Sequence, residues 1–109
     1  MGNLKILYLN IGSSLEQLRL SASSARRFNP DADIVVYTDS SELDLTAQGI
    51  EFDHYHHWDY EQDQDRVVIG SAAFAMLVAQ KSAIILDSLR RYKSPTLYVD
   101  TDVVFTSPI

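Results

Sequence analysis

The sequence predicts an α/β domain with a Rossmann-like, mostly parallel sheet and flanking helices, and three observations predict it. Short apolar runs at residues 4–9, 34–38 and 96–99 read as strands buried on both faces. Stretches of helical periodicity, at residues 15–25 and 71–92, lie between them. The order strand, helix, strand, then strand, long helix, strand is the grammar of parallel strands joined by crossovers over the faces of a sheet.

Each element has its own local reason. Ile6, Leu7, Tyr8 and Leu9 follow one another without a polar break, and Asn10-Ile11-Gly12 then turns the chain. Ser13, with Glu16 three residues on, forms a capping-box signature for a helix start. Leu15, Leu18, Ala22 and Ala25 recur on one helical face, and Asn29-Pro30 supplies the stop. The second strand ends at Asp39-Ser40-Ser41. Ile50, Phe52 and His54 alternate, which predicts a third, half-buried strand, whereas HYHHWDYEQDQ at 54–64 reads as a loop. Residues 71–92 would make a helix about 33 Å long. Gln80, Lys81 and Asp87 interrupt its apolar character, so it is not read as a membrane span. Pro95 restarts an extended run.

Composition narrows the class. The 109 residues make a single domain, 46% hydrophobic, with no cysteine and therefore neither a disulfide framework nor a thiolate metal site. The start MGNLKILYLN does not read as a signal peptide, and a cytoplasmic location is expected. Eleven of the fifteen acidic residues fall between Asp31 and Asp65, a stretch without Lys or Arg. Such a face repels a polyanion, which argues against nucleic acid as a partner and reads first as a solvated surface.

Residues that carry chemistry stand out in three places. On a helical wheel over 71–92, Lys81 falls within the apolar stripe of Phe74, Leu77, Val78, Ile84, Ile85 and Tyr92, with Gln80, Asp87, Arg90 and Arg91 opposite. It snorkels past the core edge, meets an anion at the rim of the sheet, or marks a break in the helix near Gln80. Asp100 and Asp102 follow the strand Leu97-Tyr98-Val99, at the carboxyl edge where α/β sheets collect ligands. On an extended segment their side chains would point the same way, about 6–7 Å apart at Cα. Paired carboxylates need a positive partner, and Mg²⁺ or Mn²⁺ suits oxygen donors. His54, His56 and His57 offer imidazoles for a metal, but such a cluster is more often a polar loop beside aromatic packing.

The stretch TLYVDTDVVFTSPI resembles the metal-binding Asp-x-Asp region of nucleotide-sugar glycosyltransferases of the GT-A fold. LYLNIGSSLEQLRLSASSARRFNPDADIVVYTDS is similar to their first strand, helix and second strand, and KSAIILDSLRRYKSPTLYVDTD to the helix and strand that lead to the motif. The resemblance implies that Asn10, Ile11 and Gly12 border the base and ribose of a nucleoside-diphosphate sugar, with a uridine-diphosphate sugar the leading donor. It also implies that Asp100 and Asp102 form the Mn²⁺ or Mg²⁺ site, with Asp102 the direct ligand and Asp100 facing the ribose or the metal's water shell, and that Lys81 fixes the nucleotide or sugar side. Asp39 would approach the base or serve only as a turn residue. The implied activity is transfer of the sugar to an acceptor hydroxyl. Members usually continue well past the motif, so residues 1–109 read as the nucleotide-binding portion, incomplete at the C-terminus, with no catalytic residue beyond the metal site and weak or no activity. Two alternatives stand beside this: a haloacid-dehalogenase-like phosphatase using DTDVV, and a non-catalytic α/β binding domain.

Overall fold

The computed structural model describes residues 3–11, 14–58 and 70–107, the last segment by backbone alone up to residue 78. Four strands, β1 (Lys5–Asn10), β2 (Asp33–Thr38), β3 (His54–His57) and β4 (Thr96–Tyr98), form one sheet in the order β3-β2-β1-β4. Every pairing is parallel. Helix α1 (Leu15–Phe28) joins β1 to β2, a short α2 (Glu42–Ala47) precedes β3, and α3 (Gly70–Tyr92) leads into β4.

The alternation of β1 divides the core into two layers. Ile6 and Tyr8 share one cluster with Leu18, Ala22 and Ala25 of α1, together with Ile34, Val36 and Val99. Leu7 and Leu9 belong to the other, with Val35, Tyr37 and Ile84 of α3. Helices therefore cover both faces of the central strands, which explains their unbroken hydrophobicity. The predicted α/β architecture holds, with an all-parallel sheet.

Several local expectations change. The N-cap of α1 is Ser14, whose Oγ accepts from the Glu16 N–H at 3.2 Å, while Ser13 lies outside the described residues. The predicted third strand begins four residues later than Ile50, and residues 54–57 of the supposed loop form β3. Their pairing with Val35–Thr38 of β2 supplies what propensity does not; residues 59–64 of that loop lie outside the described residues.

Helix α2 has no counterpart in the hydrophobic-pattern reading. Ser41 Oγ caps it by accepting from the Asp44 N–H at 3.1 Å. It ends in a Schellman arrangement: Ile50 N–H donates to Leu45 O and Gly49 N–H to Thr46 O, each at 3.1 Å. Gly49 takes φ +73°, a conformation that disfavours any side chain. Leu45 and Ile50 are both buried beside α1's layer.

The acidic segment is only partly a solvated face. Asp33 accepts from Lys5 Nζ at 2.8 Å, and Arg26 reaches Asp53 at 2.5 Å and Glu51 at 3.4 Å. Burial alone would raise the Asp53 pKa, but the Ile34 N–H and the Arg26 guanidinium outweigh it and hold the carboxyl below its usual range. No helix among the described residues is long and apolar enough to cross a membrane.

Candidate functional site

The chain steps from β1 outward to β2 and β3, then returns to place β4 on the other side of β1. The order thus reverses between β1 and β4, and their carboxyl ends flank the crevice where open α/β sheets bind ligands. Register fixes what gathers there. Leu7 pairs with Tyr98, the last residue of β4, while β1 runs on to Asn10. Val99 N–H still donates to Leu7 O at 2.9 Å, and the chain then leaves the sheet.

It leaves by a turn. Val103 N–H donates to Asp100 O at 3.1 Å, closing residues 100–103. The expected extended presentation of the aspartates is therefore corrected: they project from a tight turn. The cause lies in α1, whose small residues let the chain approach closely. Ser21 Oγ donates to Val103 O and also bonds Tyr8 Oη at 2.8 Å. Ser24 Oγ accepts from Phe105 N–H at 2.8 Å, and Phe105 packs on the α1 layer. The turn is thus anchored at its exit while both aspartates stay exposed.

Lys81 meets an anion at the rim, as one sequence alternative required. Its Nζ lies 3.4 Å from Asp100 Oδ1 and 5.4 Å from the centre of the Tyr98 ring. Burial and the nearby Asp100 carboxylate raise the Tyr98 pKa. Asp102 forms no ion pair among the described residues, which leaves its carboxylate open to solvent.

The predicted apolar stripe needs adjustment. Ile84 and Ser88, both fully buried, mark the centre of α3's inner face, and Lys81 flanks it. Gln80 and Asp87 are not on the far side: Gln80 Oε1 accepts from Trp58 Nε1 and Asp87 Oδ2 from Tyr37 Oη, each at 2.6 Å. Only Arg90 and Arg91 match the exposed side as predicted. The side chains of Phe74, Leu77 and Val78 lie outside the described residues.

The remaining predicted residues separate by role. Asn10 is fully buried; its Oδ1 accepts from Thr38 Oγ1 at 3.2 Å and its Nδ2 donates to Ser14 O at 3.4 Å. Its amide ties the ends of β1 and β2 to the start of α1, so its side chain is committed inside the protein. Ile11 is partly buried against the α3 layer, Asp39 is exposed at the end of β2, and Gly12 lies outside the described residues.

His54 and His56 join a packing cluster. His56 stacks on Tyr37 with ring centres 4.8 Å apart, and its Nε2 lies 2.5 Å from Tyr92 Oη. The ring of His54 sits 4.7 Å from that of Tyr92, and His57 is exposed. Among the described residues no group of three or more acidic or histidine side chains is gathered as a metal site.

Burial and the nearby Arg91 cation lower the His56 pKa, with His54 adding to the effect and Asp87 opposing it. The unfolded chain therefore takes up this proton first as the pH falls. Stability contributed here is present above the usual histidine value of 6.5 and declines as the pH drops from there toward the lowered native value. The melting temperature should fall over that window, and His56→Phe, which keeps the stack on Tyr37, should flatten the decline. An equally steep decline in the variant would assign it elsewhere.

What the turn offers a cation is a pair of hard oxygen donors. They suit Mg²⁺ or Mn²⁺, which bind through one or two carboxylates and keep waters and substrate phosphates in the shell. Two carboxylates alone would leave most of the coordination to water and ligand. No protein-family model, curated protein or solved structure gives a significant match to the chain.

Proposed function

We propose that the chain binds a nucleoside-diphosphate sugar, with a uridine-diphosphate sugar the leading donor, at the carboxyl ends of β1 and β4, as the nucleotide-binding portion of a GT-A-type glycosyltransferase. One observation carries the reading: Lys81 of α3 and Asp100 after β4 meet at 3.4 Å where the strand order reverses. The likeness of the Asp100-Thr101-Asp102 segment to the metal motif of that family supports it.

Asp100 and Asp102 would hold Mg²⁺ or Mn²⁺, which supplies Lewis-acid neutralisation of the charge that grows on the departing nucleoside diphosphate. Lys81 brings a further positive charge to the same edge, so a cationic spot forms on an otherwise acidic protein. The buried Asn10 positions the backbone that leads to Ile11, against which a base or ribose would rest. The acceptor hydroxyl attacks the anomeric carbon of the sugar as its bond to the diphosphate breaks.

Calorimetric titration with uridine diphosphate, with and without Mg²⁺, tests the reading. Saturable binding that requires Mg²⁺ is expected. Equal binding in chelator, or none in either condition, would rule out a metal-bridged diphosphate site.

A further inference from the structure

The proposed site contains its own competitor. We infer that Lys81 is a built-in counter-ion of Asp100 that makes cation and diphosphate bind cooperatively; this rests on the reading above.

Asp100 is already neutralised before any ligand arrives. The Lys81 ammonium lies 3.4 Å from Oδ1 and 5.4 Å from the centre of the Tyr98 ring. Among these groups only Asp102 offers an uncompensated negative charge. A divalent cation entering the turn must displace the ammonium from Asp100 or sit beside it, and either costs affinity. A diphosphate reverses that cost, because the displaced ammonium gains an anionic partner of its own.

The geometry permits the exchange. Lys81 and Asp100 are partly exposed, at 32% and 56% of their side-chain area, so neither is locked in a dry interior. An exposed pair of this kind is weak and easily traded. Lys81 is anchored by the fully buried Ile84 one turn along α3, so its ammonium can shift while its Cα stays fixed at the rim.

A coupling of this kind is reciprocal. The cation should bind weakly alone and more tightly with the diphosphate, and the diphosphate should show the same factor with the cation. Removing the Lys81 charge should strengthen binding of the cation alone and weaken the coupling.

Mn²⁺ binding measured by electron paramagnetic resonance, with and without inorganic pyrophosphate, reads this directly in the intact chain. For Lys81→Met, affinity for Mn²⁺ alone should rise about three- to tenfold. The enhancement by pyrophosphate should shrink by a similar factor. Lys81→Arg, which keeps the charge, should stay near the unsubstituted protein. Unchanged or weaker Mn²⁺ binding in Lys81→Met, with binding still lost in Asp102→Asn, would overturn the counter-ion role and leave the metal site standing. Mn²⁺ binding insensitive to Asp102→Asn in every background would remove both.

Discussion

Replacing Asp100 and Asp102 together by Asn is expected to reduce the Mg²⁺-dependent affinity for uridine diphosphate at least about a hundredfold. The fold should not suffer. Both side chains are exposed, and Asp100 takes part in a single, partly screened ion pair with Lys81. The exit of the turn is fixed instead by Ser21, Ser24 and Phe105. Titration calorimetry beside thermal unfolding separates the effects. Lost binding at an unchanged melting temperature supports the site, whereas retained binding shows that the diphosphate lies elsewhere.

Leu18→Ala should be the most damaging single core substitution on α1, costing about 2–5 kcal/mol. Leu18 is fully buried among Ile6, Tyr8, Ile34 and Val36, and the neighbouring small residues Ala22 and Ala25 cannot expand into the space it leaves. For a domain of this size the melting temperature should fall by about 10 °C or more. Leu20→Ala on the same helix is the control, because Leu20 is exposed and should change little. Equal losses at both positions would mean that α1 does not seat on the sheet by this face.

How much could be read beforehand varied from element to element, and the reasons are physical. Strands β1 and β2 are covered on both sides, so Ile6 to Leu9 and Ile34 to Tyr37 advertise themselves as unbroken apolar runs. Strand β3 is an edge made of histidines and a tyrosine, ordered by pairing with β2 and by rings from Tyr37 and Tyr92. Such tertiary support leaves no local trace. Helix α2 did leave one. Ser41 followed by Asp44, with Gly49 beyond the last turn, is a complete set of helix punctuation around only six residues.

The candidate site was legible in its charges and not in its backbone. Lys81 stood out as a cation on an inward-facing helix surface, and Asp100 is the anion it meets. The turn at 100–103 depends on Ser21 and Ser24, some eighty residues earlier in the chain. No spacing rule connects a serine on a helix to a carbonyl that far away. Asn10 illustrates the converse: the resemblance set it beside the base and ribose of a ligand, but burial and the bonds to Thr38 and Ser14 commit its amide to the protein.

Paramagnetic broadening by Mn²⁺ in the presence of uridine diphosphate, read on backbone amide signals, tests most directly whether the ligand sits between β1 and β4. Signals of residues 98–103, of Lys81 and of Ile11 should broaden first, and Asp102→Asn should abolish the effect. Broadening centred instead on Asp39, Glu42, Asp44 and Glu51, indifferent to uridine diphosphate, would show ions condensing on the acidic face and would contradict the account.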